Sequence, residues 1–271
     1  MTKIFGNGEF MLPEWEKCLT SSFYIPYLTY LLFFFINGSF IRKYFWQKYT
    51  GFKKYRLENL SMSLFHATVT GLFALIFTFL HPYEMFFEII HWYQNWANHV
   101  LFFSLAYFTY DLINITMNEQ NKYTVELFIH HTTSIFVFSC SIFSGKFQLY
   151  AFWALLMEVS SIFLHIRTIS MISGYAKDNC ENHRIIQIIN VITCLIFRFG
   201  VQVWQISFIL INKNLVHPFY FNVGFYGGLF FIIFNTILIF RLLASDGFLC
   251  EKVRIFVSID RDNAQTEYKK E

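Results

Sequence analysis

The stretch VELFIHHTTSIFVF (residues 125–138) is apolar at most positions, contains neither proline nor glycine, and is interrupted by two adjacent histidines. It lies within an apolar block, residues 125–143, that is close to the ~20 residues an α-helix needs to cross the hydrocarbon core of a bilayer. We therefore predict a transmembrane helix that carries ionisable groups inside the membrane.

Six further blocks of this kind occur in the 271-residue chain, which is 55% hydrophobic and only 14% charged. A typical soluble domain is about one quarter charged. Helices satisfy their backbone hydrogen bonds within one segment, so the composition predicts an all-α polytopic membrane protein with about seven spans. The predicted spans are 23–41, 60–80, 100–117, 125–143, 149–164, 185–210 and 223–244.

The basic residues predict the orientation of these spans. The connector RKYFWQKYTGFKKYR (residues 42–56) carries six Lys and Arg residues, which are retained on the cytosolic side during insertion. Alternating from there, 16 of the 21 basic residues fall on predicted inner segments and four on predicted outer segments. We expect an outside N-terminus, a cytosolic C-terminus and no cleaved signal peptide.

Four predicted helices carry polar residues in stripes at helical spacing. Ionisable groups cost at least a few kcal/mol near the bilayer centre, so stripes on several helices indicate a shared polar chamber. The stripes comprise Ser104, Tyr107, Asp111 and Asn114; Glu126, His130, Thr133, Val137 and Ser141; Glu158, Ser161 and His165; and Asn190, Cys194, Arg198, Gln202 and Gln205.

The two histidines and Asp111 are predicted to lie at similar depth, about 8 Å from the cytosolic ends of their helices. A carboxylate beside an imidazole is the usual way to orient a general base, so His130, His131 and Asp111 are the candidate catalytic residues. The candidate substrate-binding residues are Glu158, Arg198, Gln202 and Asn114. Packing is the alternative for all of them, since polar residues in membranes also join helices, and Arg198 with Glu158 is read as an architectural ion pair.

Several classes of site have no motif in the chain. It contains no CxxC pair, no HExxH and no glycine-rich phosphate loop, so we expect no metal and no cofactor. The net charge of +3 follows from the membrane topology and indicates anionic inner-leaflet lipid as a partner, not nucleic acid. The five cysteines give no disulfide framework, and position alone leaves palmitoylation of Cys250 open.

The segments YFTYDLINI (107–115), ELFIHHTTSIFVF (126–138) and LLMEVSSIFLHIRTI (155–169) resemble, in this order and spacing, the TLC-domain family, which includes ceramide synthases. The chain looks most similar to the calfacilitin-like branch. The resemblance implies a TLC domain at residues 57–244, preceded by an extracellular tail (1–22) and a first span with its basic connector (23–56), and followed by a cytosolic tail (245–271).

The resemblance further implies a function. It is regulation of phospholipid composition at the plasma membrane, with the endoplasmic reticulum as the alternative location. The protein would limit incorporation of long polyunsaturated chains and so favour a more rigid bilayer. The expected partner is a membrane phospholipid or another acyl lipid, and no protein partner is indicated.

Two other functions stay open. An acyltransferase would use His130 and His131 with acyl-CoA as co-substrate, acting on a lysophospholipid or a sphingoid base. Ceramide synthases carry further acidic residues where this chain reads LLMEVSSIFLHIRTI and keeps only Glu158, which argues against the sphingoid base. A seven-helix receptor would fit the helix count, but the DRY and NPxxY signatures are missing.

Overall fold

The computed structural model describes residues 12–119 and 122–249. The outer parts of the two predicted tails, including Cys250, lie outside the described residues. A 3₁₀ turn at Trp15–Leu19 precedes α1 (Ser21–Tyr44), α2 (Gly51–Leu80), α3 (Pro82–Phe87), α4 (Asn95–Asn118), α5 (Lys122–Ser144), α6 (Gln148–Leu155), α7 (Met157–Ser173), α8 (Tyr175–Asp178), α9 (Cys180–Thr193), a π-helix (Cys194–Gly200), α10 (Val201–Ile211) and α11 (Pro218–Ser245).

Seven helical stretches in the described part of the chain are long and apolar enough to cross a membrane. They are α1, α2, α4, α5 and α11, the pair α6 and α7, and the continuous run of α9, the π-helix and α10. The prediction of an all-α polytopic membrane protein is therefore confirmed, and the helices extend several residues beyond the apolar blocks. We call the end of the bundle that holds the connector 45–50 the basic end, and the end that holds residues 145–147 and 212–217 the distal end.

Glycine allows α2 to pack directly on the start of α7. A Cβ on Gly71 would lie 2.9 Å from the backbone N of Val159 and 3.0 Å from the carbonyl carbon of Glu158. Any larger residue at this position would push the two helices apart. The close contact fixes the height at which α7 presents Glu158 to the interior of the bundle.

A tryptophan pair anchors the fifth span to the sixth. The rings of Trp153 and Trp204 stack with centroids 3.9 Å apart and an angle of 18° between their planes. The indole Nε1 of Trp153 donates a hydrogen bond of 2.7 Å to the carbonyl of Met85, which satisfies the buried donor. The contact holds α6 between α3 and α10.

Charged residues fasten α11 at the basic end. Arg167 Nε lies 3.0 and 2.9 Å from the two carboxylate oxygens of Asp246, and Gln187 Nε2 donates to the same carboxylate at 3.0 Å. Arg241 binds Glu126 on α5 through two hydrogen bonds of 2.6 and 2.7 Å. These contacts connect α11 to α5, α7 and α9, so the bundle is held together at this end.

Candidate functional site

A cavity of about 120 Å³ lies between α5, the fifth span, the sixth span and α11. One end of it is polar and lies within the membrane-spanning region, where His130, Glu158 and Arg198 face inward. From there the cavity continues toward the distal end, where Phe147 and Tyr220 line it. The predicted polar chamber is thus one end of a longer cavity, and the rest of its wall is mainly apolar.

Arg198 organises the polar end by donating to three neutral side chains. Its Nη2 donates to Ser161 Oγ at 2.8 Å, its Nη1 to Asn235 Oδ1 at 3.0 Å, and its Nε to Ser160 Oγ at 3.3 Å. These bonds join the sixth span to the fifth and the seventh. A guanidinium has five N–H donors, and these three bonds use three of them.

The expected ion pair between Arg198 and Glu158 is corrected by the structure. Within the described residues, no carboxylate oxygen of Glu158 lies within 4.0 Å of a guanidinium nitrogen of Arg198. The Nη2 of Arg198 donates to Ser161 Oγ instead. Arg198 and Glu158 therefore line the same cavity without a direct ion pair between them.

A π-helix places Arg198 on this wall. Residues Cys194–Gly200 form a π-helical segment inside the sixth span, with regular helix on both sides. Such segments arise where a helix accommodates one extra residue, and they are common at functional sites. Arg198 lines the cavity together with Gln202 and Gln205, which follow it by four and seven residues and so lie on the same face of the helix.

The two adjacent histidines have different surroundings. His130 lines the cavity, and its ring meets that of Phe231 edge to face, with centroids 5.3 Å apart. His131 is 5% exposed and points away from the cavity, with Nε2 2.8 Å from Oδ2 of Asp111, which is 2% exposed. The imidazole rings are 5.4 Å apart, so a buried carboxylate and imidazole stand directly behind the histidine that faces the cavity.

Two more histidines lie near this pair. His66 is completely buried and stacks on Tyr107 with ring centroids 3.9 Å apart. His165, on α7, lies within electrostatic range of Asp111, His131 and Arg198, and its Nδ1 is buried without a partner in the described part of the chain. His165 belongs to the predicted stripe on α7, whereas His66 adds a buried imidazole from α2 that the four stripes do not include.

Asn114 lies apart from the other predicted substrate-binding residues. Its Nδ2 donates to Asn59 Oδ1 on α2 at 3.0 Å, and it does not line the cavity. Glu158, Arg198 and Gln202 do line it. Asn235 is not among the predicted site residues, although a single amide inside FFIIFNTILIF is the kind of intramembrane polar residue that marks a site.

Glycines form the wall of the cavity on α11. A Cβ on Gly224 or Gly228 would meet Ile209 or Ile206 of α10 at 2.9 or 2.6 Å, so these two glycines permit close packing of the helices. A Cβ on Gly227 would meet nothing within 4 Å, although Gly227 lines the cavity. Gly227 is therefore a position at which a side chain can fill the cavity without displacing a helix.

The arrangement is suited to binding and proton transfer. No three His, Cys, Asp or Glu side chains come together as a metal site within residues 12–119 and 122–249. The cavity offers one imidazole, one carboxyl group, one guanidinium and three amides to a ligand whose remaining part is apolar.

Known proteins resemble the chain over its helical part. The TLC domain model matches residues 56–244. TLC domain-containing protein 2 of Danio rerio is 28% identical over 192 residues, which cover 71% of this chain and 77% of the relative. TLC domain-containing protein 1 of Homo sapiens is 29% identical over 196 residues (72% and 76%), and that of Gallus gallus is 31% identical over 150 residues (55% and 58%). Because the domain model covers more than half of the chain, this multi-pass membrane protein belongs to the TLC-domain family, whose functions are related to membrane lipids.

Proposed function

We propose that the protein binds an acyl lipid in the cavity and thereby regulates the acyl composition of membrane phospholipids. In this proposal it limits the incorporation of long polyunsaturated chains and makes the bilayer more rigid. The observation that carries the proposal is the cavity itself. It has a polar end inside the membrane region, and its mainly apolar remainder, which we call the tunnel, continues toward the distal end.

The distribution of side chains supports an acyl lipid. Val137, Phe138, Ala154 and Leu155 line the tunnel and offer an acyl chain an apolar surface. The polar end would receive the head of the lipid, because ionisable groups at membrane depth are costly and usually serve a substrate or ion path. The resemblance to the calfacilitin-like branch favours a role in phospholipid composition over other roles in lipid metabolism.

Acyl transfer is the second candidate, and the contact between His131 and Asp111 favours it. His130 would take the proton from a hydroxyl of a lysophospholipid as that oxygen attacks the thioester carbon of acyl-CoA. The carbon–sulfur bond would then break, and the proton would pass to the departing thiolate. The carboxylate of Asp111, 2.8 Å from His131 Nε2, would offset the positive charge that the histidine pair gains with the proton.

We further propose that the basic end faces the cytosol, with the N-terminus outside, and that the protein resides in the plasma membrane. The distribution of Lys and Arg supports this orientation. The endoplasmic reticulum is the alternative location. A tagged chain imaged with markers for both membranes distinguishes them.

Filling the cavity tests the proposal. Gly227→Phe places a ring in the tunnel, whereas Gly227→Ala adds a methyl group that meets no atom within 4 Å. We expect the phospholipids of cells that express the Phe variant to contain as many polyunsaturated chains as those of cells without the protein. Cells that express the Ala variant should match cells that express the native chain. Equal phospholipid profiles for native and Phe variants, at equal membrane levels, would contradict the proposal.

The second candidate is tested separately, with purified protein in nanodiscs supplied with labelled acyl-CoA and lysophospholipid. Label transfer that is lost in His130→Asn would establish the enzyme. Absence of transfer from a native protein that still alters cellular phospholipids would leave regulation without catalysis.

A further inference from the structure

Two polar atoms beside Arg198 have no partner in the described part of the chain. They are Oε1 of Gln202 and Nδ2 of Asn235, on side chains that line the cavity and are 2% and 3% exposed. An unsatisfied polar group in a region without water costs several kcal/mol. One free acceptor and one free donor therefore await a complementary ligand at the polar end.

The two free atoms also distinguish between charged and uncharged heads. Arg198 and Glu158 both line this end of the cavity. An ionised phosphate would gain from the guanidinium, but it offers no donor to Gln202 Oε1 and would lie close to the Glu158 carboxyl group. The free acceptor and the free donor therefore favour a head that is uncharged and offers both kinds of hydrogen bond.

We propose that the ligand is a neutral acyl lipid whose head carries a carbonyl oxygen beside a free hydroxyl or amide N–H. The carbonyl accepts from Asn235 Nδ2 and from a remaining N–H of Arg198, and the hydroxyl or N–H donates to Gln202 Oε1. The acyl chain then runs along the tunnel toward the distal end. This assignment rests on the proposed function and specifies the substrate class for the same cavity.

A series of probes with one acyl chain and different heads tests the assignment on the native chain in nanodiscs. Monoolein has a carbonyl and free hydroxyls, methyl oleate has the carbonyl alone, and oleoyl lysophosphatidic acid adds an anionic phosphate. We expect monoolein to bind about five- to tenfold more tightly than methyl oleate, as the loss of one hydrogen bond predicts. We expect lysophosphatidic acid to bind most weakly.

Two glutamines one turn apart on α10 provide a matched pair of variants. Gln202→Leu removes the unpartnered acceptor, so it should abolish the preference for monoolein over methyl oleate while leaving the melting temperature unchanged or raised. Gln205 instead donates from Nε2 to the carbonyl of Tyr150 at 3.0 Å. Gln205→Leu should therefore lower the melting temperature. If Gln202 had only a structural role, Gln202→Leu would lower the melting temperature in the same way.

The outcomes separate this inference from the function on which it rests. The head-group assignment alone is overturned if lysophosphatidic acid binds most tightly of the three probes. It is also overturned if the preference for monoolein over methyl oleate survives Gln202→Leu. Binding of no probe, or binding that Gly227→Phe does not reduce, overturns the proposed lipid cavity as well. Should the Leu variants fail to fold, the order of the three probes on the native chain still decides the assignment.

Discussion

Replacing His131 by Leu should destabilise the protein far more than replacing its neighbour His130 by Leu. The first change leaves the carboxylate of Asp111, which is 2% exposed, without the imidazole that lies 2.8 Å from it. Removing one partner of a buried pair costs about 3–5 kcal/mol, because the other charge is left uncompensated. The second change removes an edge-to-face ring contact with Phe231, which is worth about 1 kcal/mol.

The free energy of unfolding of each variant can be measured by denaturant titration in mixed micelles. The double variant Asp111→Asn with His131→Leu removes the stranded charge, so it should regain a substantial part of what His131→Leu loses. Equal stabilities for the two single variants would refute the reasoning. A double variant no more stable than His131→Leu would show that the contact contributes packing and not charge compensation.

Three further predictions concern packing, the basic end and topology. Gly71→Ala should lower the free energy of unfolding by about 1–3 kcal/mol because its Cβ meets the backbone of α7, while Gly227→Ala should be neutral, as the same titration will show. Glu126→Arg should cost about 1 kcal/mol of stability, and adding Arg241→Glu should restore most of it, which a double-mutant cycle measures. A tag placed before residue 23 should be labelled on intact cells, whereas a tag after residue 250 should need permeabilisation; the reverse pattern would contradict the assigned orientation.

The spans were predictable because hydrophobic length alone identifies them, but their ends were not. The structure starts α2 at Gly51, nine residues before the apolar block at 60, since the first turns carry the basic residues of the connector. At the last span the helix starts at Pro218, where the side chain of His217 accepts from the backbone N–H of Phe219. Caps and amphipathic turns are invisible to a search for uniformly apolar segments.

The polar residues were predictable as a group, but their partners were not. Asp111 and Asn114 lie three residues apart on one stripe, yet Asp111 contacts α5 and Asn114 contacts α2. A stripe defines a face of a helix, whereas the neighbour that covers each point depends on how the helices cross. For the same reason the hydrogen bonds from Arg198 to Ser161 and Asn235 could be identified only from the three-dimensional arrangement.

The π-helix at Cys194–Gly200 has a consequence for how this chain is aligned with its relatives. A π-helical turn accommodates one residue more than an α-helical turn between flanks that keep their facing. A relative with a regular sixth span is therefore expected to be one residue shorter between Asn190 and Gln202. A gap placed elsewhere in that span would shift the intervening positions by one residue, or about 100° around the helix, and would pair cavity residues of this protein with lipid-facing residues of the other.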